Sequence, residues 1–175
     1  MITRERPIQA RLAIQSFLRQ TYPNRELIVV DDDPDSQLYD WILSLQSNLI
    51  RCFRLPDQGL SLGELRNFSA QQALGDYICQ WDDDDLYDPL RLEMQMAALI
   101  STGSDATVLA RFLMWWPQTK RLAVSCYRDW EGSLLCRKDC LPAYPHLRQG
   151  EDSALFEELR QKCTLARIDM PRLYL

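Results

Sequence analysis

Four carboxylates in a row, Asp82-Asp83-Asp84-Asp85, close the run Tyr77-Ile78-Cys79-Gln80-Trp81. The apolar stretch reads as a buried strand, and packing cannot explain how it ends. Burying one unpaired carboxylate costs several kcal/mol, and adjacent ones repel each other. Positive charge is expected there. A divalent cation with oxygen ligands, itself clamping a phosphate, is the most economical source at the carboxyl end of an α/β strand. The bland alternative is an exposed acidic loop. A second run, Glu26-Leu27-Ile28-Val29-Val30, ends in Asp31-Asp32-Asp33-Pro34-Asp35, so two strands finish in carboxylates. That second end also reads as a solvated Asx turn, which Asp-Pro favours.

The elements that must position these groups alternate. Pro7 suits the first position of a helix, with Ile8, Leu12, Ala13, Ile14, Phe17 and Leu18 at helical spacing up to the turn Thr21-Tyr22-Pro23-Asn24. Leu38, Trp41, Ile42 and Leu45 mark a second helix, residues 50–55 a strand, and Pro56-Asp57-Gln58-Gly59 a loop. A third helix is expected over 62–74 with Gly75 as its cap. Asp88-Pro89 reads as the N-cap and first residue of a fourth, which Gly103 ends. Residues 106–110 then read as a strand, 112–116 with 121–126 as a hairpin, and 132–136 as a strand. A helix from Glu151-Asp152 and strands over 164–168 and 172–175 complete the chain. This order predicts an α/β fold with a mixed, mostly parallel sheet flanked by helices.

Composition sets bounds. A chain of 175 residues, 46% hydrophobic and 26% charged, suits one globular domain and excludes wholesale disorder. The net charge of −5 argues against non-specific nucleic-acid binding. Six cysteines without a CxxC pair and one histidine, His146, read as reduced core thiols and a surface loop residue rather than a zinc site. No basic-then-apolar leader opens the chain, and its most apolar stretch, 106–116, is interrupted by Arg111. A soluble, cytoplasmic protein is expected.

In order and spacing, several segments together resemble the family-2 glycosyltransferases, whose fold is the GT-A nucleotide-diphospho-sugar transferase fold. They are Thr3-Arg4-Glu5-Arg6-Pro7, Ser16-Phe17-Leu18-Arg19-Gln20-Thr21-Tyr22-Pro23, Glu26 to Asp32, Gly59-Leu60-Ser61 with Arg66-Asn67, Gly75-Asp76-Tyr77-Ile78 with Asp82 to Asp85, and Gly150-Glu151-Asp152. The resemblance implies a metal-assisted, inverting transfer of a sugar from a nucleotide-diphosphate sugar, probed first as UDP-linked, to a hydroxyl of a carbohydrate, lipid-linked or protein acceptor. It assigns the donor nucleotide to Thr3, Arg4, Asp32, Arg66, Asp82 and Asp83, with Asp32 on the base. Asp84 is assigned to Mn²⁺ or Mg²⁺ in a DxD motif, and Asp152 to the catalytic base. Trp130 and Glu151 are assigned to the acceptor pocket. Asp152 also reads as an ordinary helix N-cap, Arg66 as a surface arginine, and Trp130 as core.

The resemblance also sets expectations for the ends. Relatives begin with an apolar central strand, nearly all of it absent before Met1-Ile2-Thr3, and continue past Tyr174-Leu175 into a segment that often carries a metal-binding histidine. One domain over 1–175, its first strand largely missing, is the expected organisation. Without the QxxRW-type motif and membrane helices of the processive synthases, a single-addition enzyme of polysaccharide biosynthesis is expected, with peripheral membrane association compatible. Two other classes compete. One is a catalytically inactive nucleotide-sugar or metal-binding module. The other is a sugar-phosphate nucleotidyltransferase, which usually opens with a glycine-rich loop, whereas no glycine precedes Gly59 here.

Overall fold

The computed structural model describes residues 1–34, 37–55 and 59–175. Asp35 and the expected loop residues Pro56, Asp57 and Gln58 lie outside the described residues. Strand β1 (Ile2–Thr3) leads to helix α1 (Pro7–Leu18), which starts at the proline and buries Ala10, Ala13, Ile14 and Phe17. Strand β2 (Leu27–Asp31) is buried along its whole length, as a parallel strand covered on both faces should be. After α2 (Leu38–Ser44), strand β3 (Ile50–Arg54) completes a parallel sheet of order β1-β2-β3.

Helix α3 (Leu62–Gln72) is opened by a capping box, in which Ser61 accepts from the Glu64 N–H and the Glu64 carboxylate accepts from the Ser61 N–H. It ends two residues earlier than expected. Gly75 is not its cap, because Ala73 is already extended and the Leu74 and Gly75 N–H groups both donate to Glu26. Helix α4 (Arg91–Thr102) likewise starts two residues past Pro89. Asp88 still serves its entry by accepting the Leu90 N–H at 2.9 Å, and Gly103 ends the helix in the left-handed region at φ 64°.

The second half folds around strands β4 (Tyr77–Cys79), β5 (Ala106–Leu109), β8 (Trp130–Arg137) and β9 (Leu165–Ile168), in the order β4-β8-β5-β9. β8 is antiparallel to both neighbours, while β5 and β9 are parallel. Strands β6 (Leu113–Trp116) and β7 (Arg121–Val124) form a separate hairpin. Helix α5 (Glu151–Lys162) packs Leu155, Phe156 and Leu159 against β8 and β5. The expected final strand over 172–175 is instead a 3-10 turn at Pro171–Leu173 and one antiparallel bridge, Tyr87↔Tyr174. Pro171 lacks the N–H that a ladder needs.

Among the described residues the two larger sheets do not pair with each other. Between β1–β2 and β4 lies a cavity of about 570 Å³ lined by Met1, Ile28, Ile78 and Cys79, with Ala70 of α3 and Met96 of α4 also on its walls. The Met1 amine is buried there and donates to the Ile28 carbonyl at 2.8 Å; burial lowers its pKa to about 5.

Candidate active site

Period-2 alternation decides which aspartates reach the site. At the end of β2, Asp31 is 1% exposed, while Asp32 lines a second cavity of about 620 Å³ at the carboxyl ends of β1 and β2. The acidic run after β4 enters the same cavity. Thr3, Arg4, Arg66, Asp82, Asp83 and Asp84 all line it together with Asp32, so every residue expected on the donor and metal side is brought to one place.

Each carboxylate there faces a guanidinium. Arg4 donates to Asp32 at 3.2 Å. Arg66, nearly buried, bridges Asp82 at 3.0 Å and Glu151 at 2.8 Å. Burial opposes its charge, but Asp82, Tyr144 and Glu151 outweigh that and raise its pKa. Sequence reasoning missed Arg6, which pairs with Asp84 at 2.8 Å and Asp83 at 3.4 Å. The missed signal was its place in the segment Thr3-Arg4-Glu5-Arg6-Pro7; the partners lie 77 and 78 residues away.

The loop 82–87 is held by aromatic packing. Trp81 is buried edge-on to Phe17 and donates to the Ala13 carbonyl at 3.1 Å, tying the end of β4 to α1. Tyr87 accepts the Asp82 N–H at 3.0 Å, and Tyr174 donates to Asp85 at 2.5 Å. Beneath them Arg91, fully buried, lies 4.2 Å from the Tyr87 ring centroid and donates to the Gln80 carbonyl and to Gln95. Burial raises the Asp83 pKa, with a Thr3 hydroxyl bond pulling the other way.

Burial also pushes Asp85 up to about 7, against the Tyr174 bond and with Asp82 and Asp84 adding to the rise. A carboxyl with a folded pKa above its unfolded value of roughly 3.9 holds its proton better in the folded state. Its contribution is therefore full below that value and is lost as pH rises to about 7. In chelator, the melting temperature of Asp85→Asn minus that of the unsubstituted protein should grow across this window. A flat or falling difference would contradict the assignment.

Asp152 and Glu151 open α5. The Glu151 carboxylate is buried and accepts from the Arg66 guanidinium at 2.8 Å, which it supports. Asp152 is half-buried and accepts the Ser153 N–H at 2.8 Å. Ahead of α5 in the chain, the segment 144–147 seats on α3. Asn67 and Tyr144 exchange two 2.8 Å bonds, and Gly63 donates to the Leu147 carbonyl at 3.1 Å. A Cβ on Gly63 would lie 1.9 Å from the Pro145 carbonyl oxygen. Gly63→Ala should therefore cost about 1–3 kcal/mol and lower the melting temperature by several degrees; an unchanged melting curve would show that the seat yields.

Trp130 sits apart from the cavity lining. It packs edge-on to Phe112, and the Arg128 guanidinium lies 3.8 Å from its ring centroid, covering one face. His146 is an exposed loop residue 3.5 Å from Glu64.

The donor set fits a cation that is only partly protein-bound. Among the described residues no three His, Cys, Asp or Glu groups converge as a cage. Asp84, half-exposed at the cavity, and its neighbour Asp83 offer adjacent hard oxygens. Mg²⁺-like ions commonly take one or two carboxylates and complete their shell with water and phosphate oxygens. Such an ion at Asp84 has to displace Arg6.

Known proteins place this geometry. The glycosyl transferase family 2 model matches residues 2–128. An Escherichia coli protein, UDP-Glc:alpha-D-GlcNAc-diphosphoundecaprenol beta-1,3-glucosyltransferase WfgD, is 31% identical over 52% of this chain and 36% of its own. The chain spans about a third or less of the length of the curated relatives it matches. Among solved structures, S. aureus TarS superposes with a TM-score of 0.81 at 20% identity over 99% of this chain and 35% of TarS; its 1–349 form has been crystallised with UDP-GlcNAc. The mannosyltransferase PcManGT of Pyrobaculum calidifontis, in complex with GDP-Man and Mn²⁺, superposes with a TM-score of 0.72 at 13% identity over 98% of this chain and 53% of its own. The fold is thus that of the GT-A glycosyltransferases, and with the family model matching well over half its residues, the chain belongs to glycosyl transferase family 2.

Proposed function

We propose that the protein transfers a sugar from a nucleotide-diphosphate sugar, UDP-linked, to an acceptor hydroxyl with inversion at the anomeric carbon. The observation that carries this reading is the shared cavity. The acidic end of β2 and the acidic loop after β4 open into one space, together with the guanidiniums of Arg4, Arg6, Arg66 and Arg148. Carboxylates suit an imide N–H and a hard cation, and guanidiniums suit diphosphate oxygens. UDP and GDP-Man complexes of similar folds support a nucleotide sugar, and WfgD, named for a UDP-Glc donor and a diphosphoundecaprenol-linked acceptor, supports a lipid-linked one.

In this reading Asp32 accepts a hydrogen bond from the base, with Arg4 and Thr3 beside it, and Arg66 holds Asp82 toward the donor. Asp83 lies on the donor side, and Asp84 would hold the divalent ion, Mn²⁺ or Mg²⁺. Bound, it would neutralise the charge that builds on the leaving diphosphate. Arg6, freed from Asp84, would be a further guanidinium for the same phosphates. Asp152 takes the proton from the acceptor hydroxyl as its oxygen attacks opposite the leaving group, which gives inversion.

A single domain over 1–175 belongs to this reading, with a gap between its two larger sheets. The 570 Å³ cavity has mixed apolar and polar walls between β1 and β4, and α1, α3 and α4 all contribute to them, which supports a single domain. A second reading, a nucleotide-sugar-binding module without turnover, draws on this same gap. Among the described residues no helix is long and apolar enough to cross a membrane.

The deciding experiment incubates the protein with UDP-glucose or UDP-GlcNAc, Mn²⁺ and a lipid-linked GlcNAc diphosphate acceptor, following UDP release and labelled product. Acceptor-dependent UDP release with an inverted linkage is the expected result. Nucleotide binding with neither release nor product would establish the module instead.

A further inference from the structure

The β6–β7 hairpin is the least covered element of the molecule. Trp115, Trp116, Leu122, Val124 and Tyr127 are 44–63% exposed. Its register pairs Leu113 with Val124 and Trp115 with Leu122, and Met114 with Ala123 and Trp116 with Arg121. Opposed residues share a face, so one face is wholly apolar and the other is apolar up to Arg121. The tip adds Lys120 beside Arg121, neither in an ion pair among the described residues. Residues 111–128 contain four basic and no acidic residues, in a protein whose net charge is −5; Arg111 and Arg128 pair with Asp169 and Glu131, which leaves Lys120 and Arg121 as the tip's cations.

We propose that this hairpin seats the protein on an anionic phospholipid surface. The tryptophans would lie at the headgroup level and Lys120 and Arg121 against lipid phosphates. Trp and Tyr favour that interface, and an apolar surface with a few cations is the combination that holds proteins to anionic bilayers. A second copy of the chain offers no carboxylate on this hairpin to meet the cations. A sugar needs several hydrogen-bonding groups around the rings, and the Leu113–Trp115–Leu122–Val124 face offers one side-chain donor, the Trp115 indole N–H, and no side-chain oxygen.

The root of the hairpin reaches the candidate active site. Leu113 donates to the Tyr174 carbonyl at 2.9 Å, Phe112 stacks on the Tyr174 ring at 5.1 Å, and Tyr174 holds Asp85. Docking there would tie the membrane-seated hairpin, through Tyr174 and Asp85, to the acidic loop whose Asp82, Asp83 and Asp84 line the cavity, and a lipid-linked acceptor would be taken from that bilayer. In that purpose the inference rests on the proposed function, but its test needs no nucleotide, so the two can fail separately.

The full chain is sedimented with phosphatidylcholine vesicles with and without phosphatidylglycerol, at low and physiological salt. Binding is expected only with the anionic lipid, with a blue-shifted tryptophan emission. Trp115→Ser with Trp116→Ser should weaken it at least about tenfold. Lys120→Gln with Arg121→Gln should weaken it by roughly tenfold and flatten its salt dependence. All four residues are surface groups, so circular dichroism and melting should stay unchanged. No preference for anionic vesicles, or equal binding by both double variants, would overturn the proposal. So would a concentration-dependent dimer abolished by the tryptophan variant in the absence of vesicle binding, which would assign the face to a second copy.

Discussion

Asp84→Asn is expected to abolish the stabilisation that Mn²⁺ confers in the presence of a nucleoside diphosphate, and to lower transfer by about a thousandfold or more. The magnitude follows from the role. A divalent ion on the leaving diphosphate is worth several kcal/mol in the transition state, and each 1.36 kcal/mol is about a factor of ten. The substitution should leave the fold intact. The Asp84 side chain is 53% exposed and so is its partner Arg6, and an exposed pair of this kind contributes only about 0–1 kcal/mol. Loss of activity with an unchanged melting curve in chelator is the signature. Isothermal titration of Mn²⁺ into the protein with UDP reads the metal directly. Wild-type metal affinity in Asp84→Asn would move the ligand role to Asp83 or Asp82.

Asp82 makes an instructive contrast. Its carboxylate bonds both Arg66 and Gln80, so removing it would disturb the bridge to Glu151 as well as the donor site. A loss there would not separate chemistry from packing.

The second large effect is expected at Asp152. Asp152→Asn should lower kcat by about 10²–10⁴, the usual worth of a positioned general base, with nucleotide affinity nearly unchanged. The carboxylate lies in the first turn of α5, and among the described residues its hydrogen bond is local, to the Ser153 N–H. Its structural value is a helix-end charge of roughly 0.3–1 kcal/mol. Steady-state kinetics beside nucleotide titration checks this. If Asp152→Asn loses the nucleotide together with turnover, Asp152 belongs to the donor site and the base must be sought elsewhere.

Much of this was legible in the sequence because the signals were local. The acidic strand ends, Pro7 opening α1 and the Pro117-Gln118-Thr119-Lys120 turn each specify an element within a few residues. What was not legible depends on distant partners. Gly75 looked like a helix cap, but Glu26 captures the neighbouring N–H groups from 48 and 49 residues away. The close approach that makes Gly63 sensitive comes from Pro145. Arg6 carried no role in the sequence and Glu151 was assigned to the acceptor pocket until folding set them against Asp84 and Arg66. Nor does a single sequence reveal that a buried arginine, Arg91, underlies the loop carrying the acidic run.

The central claim is that the ends of β2 and β4 form one donor site. Its most direct test is a thermal-shift titration with UDP, GDP and TDP, each in Mn²⁺ or in chelator. A ligand that binds only the folded state must raise its stability. The account predicts a rise with UDP that needs the metal and is lost in both Asp32→Ala and Asp84→Asn. A folded sample that shows no shift with any nucleotide, or a shift indifferent to metal and to both substitutions, would contradict it.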